Sequence, residues 1–401
     1  MSSEVCRLSD IADIQGGFAF KGSDFSESGV AVVKIANIQP PYVSLKSVDR
    51  IPEKKLNGLE RFELLDGDVL MAMTGATVGK VGRFNRTEPA YLNQRVARIS
   101  AKKGKQFNDF IYAIVSLPGF DKLIEGASAG SAQVNISASG IGSVAIPNIS
   151  YDNQIQIGGI ARCLDDRITL LHETNATLEA IAHALFKSWF VDFDPVRAKM
   201  EGRAPEGMDE ATAALFPDLF EESELGSVPR GWRVARLDSF IELAYGKALK
   251  AENRKFGPIP VYGSGGITGW HDQALVDEPS IIIGRKGTVG SLYWESRPFF
   301  PIDTVFFVKS RKPLTYCYLL LKTLGLDSMN TDAAVPGLNR ENVYRLLVIE
   351  PPESILAAFD SVTSLLRRSM DENEGQAQTL VTLRDTLLPR LISGQLRLSE
   401  N

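Results

Sequence analysis

The chain has 401 residues, 44% hydrophobic content and a formal net charge of −5. That length holds more than one core. No apolar run reaches the ~18–20 residues of a membrane span, and the opening Met-Ser-Ser-Glu-Val-Cys lacks a signal-peptide pattern, so a cytoplasmic location is expected. Cys6, Cys163 and Cys317 are scattered, and His172, His183 and His271 make no ligand cluster with them, so neither a disulfide framework nor a metal site is expected.

In chain order, residues 1–150 read as β-rich. Val30-Ala-Val-Val-Lys-Ile, Val69-Leu-Met-Ala-Met and Val96-Ala-Arg-Ile are strand-like runs between glycines. Asn108 to Leu117 reads as a short helix with Asn108 or Asp109 as its cap. From about Asp152 to Phe190, Ile157, Leu164, Leu171, Leu178 and Leu185 fall seven apart, flanked by Ile160, Ile168, Ile181 and Trp189. Such a seam needs a partner helix. Residues 193–231 form a polar, acidic connector bearing Pro and Gly. A second β-rich segment, 232–350, has strand runs at Ser280 and Thr304 and a helix over Leu314 to Leu324. A second long helix, about Pro352 to Ser393, carries Phe359, Leu366, Asn373, Leu380 and Leu387 at the seam spacing, with Gly375 as a possible bend.

The two halves repeat one another. Leu8-Ser-Asp-Ile-Ala-Asp-Ile returns as Leu237-Asp-Ser-Phe-Ile-Glu-Leu, 229 positions on, and Thr77-Val-Gly returns as Thr288-Val-Gly at 211. Val134-Asn-Ile matches Leu338-Asn-Arg loosely at 204, and Leu164, Leu178 and Leu185 return as Leu366, Leu380 and Leu387 at 202. The expected fold is therefore α+β: two β-rich domains, each followed by a long helix, the helices pairing as an antiparallel coiled coil in a pseudo-twofold tandem repeat. A helix of about 40 residues spans roughly 60 Å. Holding two globular units apart on such a rod suits a ruler better than a single active site, and duplex DNA is a target with two halves.

The regional charge agrees. Residues 1–150 and 232–350 carry +2 and +3, while the helices and connector are negative. Binding to phosphates needs a local cationic face and not a basic protein. Residues suited to read base edges or hold phosphates are Lys21, Lys80, Arg83, Asn93, Gln94 and Arg95 in the first domain, and Lys247, Lys250, Arg254, Lys255, Arg285 and Lys286 in the second. The Thr-Val-Gly turns beside Lys80, Arg83, Arg285 and Lys286 are candidates to offer backbone amides to phosphates.

Gln39-Pro-Pro-Tyr42 is similar to the Asn/Asp-Pro-Pro-Tyr motif of adenine methyltransferases, where the first side chain and a carbonyl accept from the flipped adenine's amino group. Here Gln replaces Asn or Asp, and no glycine-rich S-adenosylmethionine loop accompanies it. Gly75-Ala-Thr-Val-Gly-Lys80 is one residue short of a phosphate-binding Walker loop, and no His or Cys is placed for nucleophilic catalysis. A stand-alone methyltransferase and a coiled-coil interaction protein without DNA binding are the alternative readings.

Ser188-Trp-Phe-Val-Asp-Phe-Asp-Pro-Val-Arg-Ala-Lys199 strongly resembles the central conserved segment of specificity (S) subunits of type I restriction-modification systems. Ala214-Leu-Phe-Pro-Asp218 and Glu224-Leu-Gly-Ser-Val-Pro-Arg-Gly-Trp232 fit the same family, and Thr386-Leu-Leu-Pro-Arg-Leu-Ile-Ser-Gly394 resembles its C-terminal end. The resemblance covers essentially the whole chain. It implies target-recognition domains at 1–150 and 232–350, conserved spacer helices at 151–192 and 351–401, and a connector at 193–231. It implies a non-catalytic subunit that reads a bipartite DNA site, docks two methyltransferase (M) subunits through its helices and is joined by restriction (R) subunits. Trp189, Phe190, Leu387 and Leu391 are the expected anchors for M. No cofactor is expected on this chain; S-adenosylmethionine, ATP and Mg are expected on the partner subunits.

Overall fold

The computed structural model describes residues 5–127, 136–329 and 337–398. It divides into two compact units, Met1–His172 with Gly375–Asn401, and Glu173–Glu374.

In the first unit the strands are β1 (Val5–Arg7), β2 (Ala12–Gly16), β3 (Val30–Val33), β4 (Ile38–Gln39), β5 (Tyr42–Val43), β6 (Asp49–Ile51), β7 (Val69–Ala72), β8 (Val81–Arg83), β9 (Ala90–Leu92), β10 (Val96–Ala101) and β11 (Ala145–Pro147). They form a sheet ordered β2-β10-β7-β8-β5-β4, a sheet ordered β6-β3-β9 and an antiparallel β1-β11 pair. Val69, Leu70, Met71 and Ala72 are all buried, because β7 has other layers on both faces. Leu70 and Ala72 join the core under β3 and β9, and Val69 and Met71 join the core under the helix Asn108–Val115. That helix has no side-chain cap. Asn108, one of the two expected caps, turns inward, accepting from the Ala101 amide at 2.8 Å and donating to the Gly67 carbonyl at 2.9 Å.

The second unit repeats the plan. After the β12 (Phe220–Ser223) and β13 (Gly226–Pro229) hairpin come β14 (Arg233–Arg236), β15 (Ile241–Tyr245), β16 (Ile259–Gly263), β17 (Gly266–His271), β18 (Ser280–Gly284), β19 (Leu292–Glu295), β20 (Phe300–Pro301), β21 (Val305–Ser310) and β22 (Leu347–Glu350). The order β15-β21-β18-β19 matches β2-β10-β7-β8; the parallel pair β16-β20 matches β3-β9, and β14-β22 matches β1-β11. The match of Val134 and Asn135 to Leu338 and Asn339 falls outside the described residues on its first side.

The long helices run over Tyr151–Phe190 and Glu353–Ile392, within a residue or two of the expected bounds, and the second is unbroken at Gly375. In the first unit, Ile157 packs in the same core as Leu388 and Leu391, while Ile168 and Leu171 pack with Ala377 and Leu380. In the second, Asn175 bonds Asn373 at 2.8 Å, while Trp189 and Phe190 stack on Phe359. Rising numbers on one helix meet falling numbers on the other in each unit, so the segments pair antiparallel. Of the expected flanks, Ile181 is exposed.

Candidate nucleic-acid interface

In the first unit, one end of the main sheet gathers several of the expected residues. The Ala72 amide donates to the Lys80 carbonyl (2.9 Å) and the Met73 amide to the Arg95 carbonyl (3.0 Å), so the two cations bracket the end of β7. Both side chains are exposed, as is that of Gln94. Gln94 donates its amide to the Phe18 carbonyl at 2.8 Å, which holds the turn before β10 against the strand leaving β2. The approach is so close that a Cβ on Gly17 would sit 2.2 Å from the Asn93 carbonyl oxygen. Asn93 is buried in that turn, and Lys21 is exposed at the start of the turn Gly22–Asp24, its amide bonded to Asp24 at 2.8 Å.

The second unit builds the same corner with different side chains. A Cβ on Gly246 would lie 2.1 Å from the Ile302 carbonyl oxygen, and the Lys247 amide donates to Pro301 at 3.0 Å. The Arg285 and Lys286 amides both donate to the Thr304 carbonyl (2.9 and 3.1 Å), placing these cations at the end of β18. The Arg285 guanidinium lies 5.2 Å from the Tyr245 ring centre and 5.8 Å from that of Phe306, with Nη2 donating to the Asp303 carbonyl at 3.0 Å. Arg340 stacks on the same tyrosine at 5.0 Å. Sequence reasoning missed Arg340, although it follows the repeated Leu338-Asn339; Asn339 caps its helix by accepting from the Glu341 and Asn342 amides. Lys250, Arg254 and Lys255 lie on the loop between β15 and β16, with Lys250 and Lys255 exposed and Arg254 half-buried.

Other expected residues stand elsewhere. Arg83 is 1% exposed, paired with Asp109 at 3.0 Å and Asp165 at 2.7 Å, and stacked on Tyr112 at 3.6 Å; a guanidinium so enclosed presents nothing to a phosphate. The Thr-Val-Gly turns spend their amides internally: Gly79 on Ala72, Lys80 on Thr77, Gly290 on Gly284. Gly290 faces the protein, where a Cβ would be 2.3 Å from the Asp327 nitrogen. Trp189, Phe190 and Leu391 are buried, and Leu387 is half-buried, because the helix face that carries them is covered by the chain's own core.

The methyltransferase-like segment is the turn between β4 and β5, and the Tyr42 hydroxyl donates to Asp166 of the long helix. Burial pushes the Cys317 thiol up to about 12, so it is held neutral in the second core, where a thiolate nucleophile has no support. Among the described residues, no group of His, Cys, Asp and Glu is arranged to hold a metal ion, and no helix is long and apolar enough to cross a membrane.

A fold built twice, each copy with a cationic corner, agrees with the match of residues 2–180 and 229–355 to the type I restriction modification DNA specificity domain. The chain belongs to this family. It is 24% identical over 435 residues to the type I restriction enzyme MjaIX specificity subunit of Methanocaldococcus jannaschii, covering 99% of this chain and 94% of that one. It is 27% identical over 345 residues to the HindI specificity subunit of Haemophilus influenzae, covering 69% and 74%. The fold is that of the S subunit of a type I system from M. genitalium, with a TM-score of 0.62, 17% identity and coverage of 99% and 96%. Members of the family are the DNA-recognising, non-catalytic subunits of type I restriction-modification systems, and this chain carries two of their recognition domains.

Proposed function

We propose that this specificity subunit reads a bipartite duplex DNA site, one half-site per recognition domain, and brings M subunits to it. The observation that carries this is the repeated sheet corner. Lys80, Gln94 and Arg95 occupy it in the first unit and Lys247, Lys286 and the half-buried Arg285 and Arg340 in the second, so the scaffold is shared while the side chains at the corner differ. Two different sets of polar and cationic side chains on one scaffold suit two different half-sites.

In this reading, residues 1–150 and 232–350 are the recognition domains, 151–192 and 351–401 carry the spacer helices, and 193–231 connects them. The helices keep exposed apolar residues after their mutual packing is complete: Ile155, Leu170 and Leu383 in the first unit, and Ile181, Val362 and Leu365 in the second. These support docking of two M subunits, in place of the buried Trp189 and Phe190. R subunits join for cleavage, the S-adenosylmethionine, ATP and Mg sites belong to the partners, and the complex works in the cytoplasm.

The test is co-expression with the M subunit and mapping of adenine methylation across a host genome. A split motif with a fixed gap, absent without this chain, is the expected result. A continuous motif, or methylation by this chain alone, overturns the reading.

A further inference from the structure

The loop between β15 and β16 repeats the loop between β2 and β3 residue for residue, at the offset of 229. The turn Gly22–Asp24 becomes Ala251–Asn253, and Lys21, which precedes it, becomes Lys250. At this offset Glu27 of the first loop corresponds to Phe256 of the second. The shared backbone therefore has no need of an aromatic at this position, and Phe256 is fully exposed, at 104% of its reference surface.

The backbone that carries the exposed ring is nonetheless held firmly. On its N-terminal side, Arg254 Nη1 donates to the Thr268 carbonyl at 2.6 Å and the Lys255 amide donates to His271 Nδ1 at 3.0 Å. On its C-terminal side, Gly257 lies so close to β17 that an added Cβ would be 2.4 Å from the His271 carbonyl oxygen. The segment is thus pinned along β17, whose Trp270 is itself 48% exposed. Around the ring, residues 247–256 carry Lys247, Lys250, Arg254 and Lys255 against one acid, Glu252. An exposed aromatic on a pinned backbone among cations is complementary to a duplex, whose phosphates flank stacked apolar bases.

We propose that Phe256 is a wedge for duplex DNA, its ring entering the half-site bound by the second unit and stacking between neighbouring base pairs, while Lys250 and Lys255 hold the adjacent phosphates. This rests on the DNA-reading function proposed above and adds a partly unstacked base step to it. Apolar wedges of this kind let a protein exploit the deformability of particular steps, so Phe256 contributes to sequence selectivity without hydrogen-bonding a base.

The experiment uses the complex of the full chain with its M subunit and duplexes carrying the mapped motif, with 2-aminopurine at successive positions of the second half-site. Binding is read by anisotropy at several salt concentrations. The wild-type complex is expected to brighten 2-aminopurine at one step. Phe256→Ala and Phe256→Glu, the latter copying the first loop, are expected to abolish that signal and weaken binding roughly tenfold or more, with the salt slope unchanged in Phe256→Ala. Phe256→Trp is expected to restore both. Lys255→Ala is expected to lower the salt slope by about 1 with the 2-aminopurine signal retained. Unchanged affinity and fluorescence in Phe256→Ala overturn the wedge alone. Loss of M subunit from the Phe256→Ala complex also overturns it, by assigning the ring to a protein contact. A wild-type complex with no preference for the motif duplex overturns the underlying DNA reading.

Discussion

Arg83 Nη1 donates to Asp165 Oδ2 at 2.7 Å, and each side chain is only 1% exposed. This pair joins β8 of the first recognition domain to the long helix. Asp165 also accepts from Arg384 of the second helix at 2.8 Å, so one carboxylate ties three elements together. In the second unit the same joint is built from other chemistry. Trp294 of β19 stands where Arg83 stands, by the offset of 211, and Arg367 stands where Asp165 stands, by the offset of 202. The Trp294 ring packs edge-on to Tyr318 at 5.8 Å, with the Arg367 guanidinium 5.2 Å from its centre. A buried ion pair in one copy is a cation over an aromatic in the other. The seats are not interchangeable: Arg83 against an arginine, or Trp294 against a lone buried carboxylate, leaves a charge without compensation.

Removing one member of the buried pair is therefore costly. Asp165→Ala leaves the buried Arg83 guanidinium with Asp109 alone and Arg384 with Asp385 alone; leaving a buried charge with no partner costs about 3–5 kcal/mol, and the cost here is expected to be smaller than that. Hydrogen exchange is the appropriate measurement, because two units make a single unfolding free energy ill-defined. Amides of β7, β8 and β10 are expected to lose protection while those of β18 and β21 keep theirs. Equal loss in both units, or none, contradicts the assignment of Asp165 as the joint of the first unit.

The close approaches at Gly17 and Gly246 give a matched pair of predictions. Each leaves no space for a methyl group, since the added carbon would sit 2.2 and 2.1 Å from a carbonyl oxygen of the neighbouring strand connection. Gly17→Ala and Gly246→Ala must push those connections away, at a cost of at least about 1–3 kcal/mol, each in its own unit. Gly159→Ala, where no atom lies within 4 Å, is the control and is expected to be tolerated on the helix. Protease resistance of each unit checks all three.

Stability of the second unit is expected to fall with acidification through one particular carboxylate. Glu295 is buried, which pushes its pKa up, but the hydrogen bonds and charge of Arg297 and the Tyr262 hydroxyl outweigh this and hold it below the ordinary glutamate value. A carboxylate depressed in the folded state stabilises above its unfolded pKa, about 4.3. That contribution is lost as pH falls through the lower folded value. Arg297→Ala removes the guanidinium that opposes burial, so Glu295 is expected to titrate higher, its stabilising contribution at neutral pH to shrink, and the acid-dependent part of the loss to become smaller. Unfolding followed by tryptophan fluorescence between neutral pH and pH 3 checks this; a variant that loses as much stability on acidification as the wild type sinks it.

Much of this architecture is legible in the sequence because repetition is independent of packing. The offset of 229 holds from Leu8 to the start of β3, and the seven-residue seam places both long helices within a residue or two. The fate of individual side chains is less legible. Arg83 has the residue type and neighbourhood of a phosphate contact, and its burial depends on Asp109 and Asp165, which lie 26 and 82 positions away. Trp189 and Phe190 read as a docking face until Tyr316, Phe359 and Trp232 are seen to cover them. Arg340 was missed because only the fold brings it to the Tyr245 ring.

Arg285 is the most direct test of the second unit's cationic corner. Its guanidinium is spread between the Tyr245 and Phe306 rings, and Nη2 is fixed on the Asp303 carbonyl, so the side chain is held in place before DNA arrives. Arg285→Ala removes both the charge and the stacked plane. In the assembled complex, affinity for the motif duplex is expected to fall by about 1–3 kcal/mol if the guanidinium reads a base edge, with relaxed methylation at one position of the second half-site. Were Arg285 only a phosphate contact, the loss would be uniform across sequences and the salt slope would fall by about 1. Arg285→Lys separates the two outcomes, because lysine keeps the charge but neither the bidentate fork nor the planar stacking on Tyr245. Base reading predicts that Lys fails nearly as badly as Ala; phosphate binding predicts that Lys largely restores affinity. Wild-type affinity, salt slope and methylation pattern in Arg285→Ala would remove this corner from the interface.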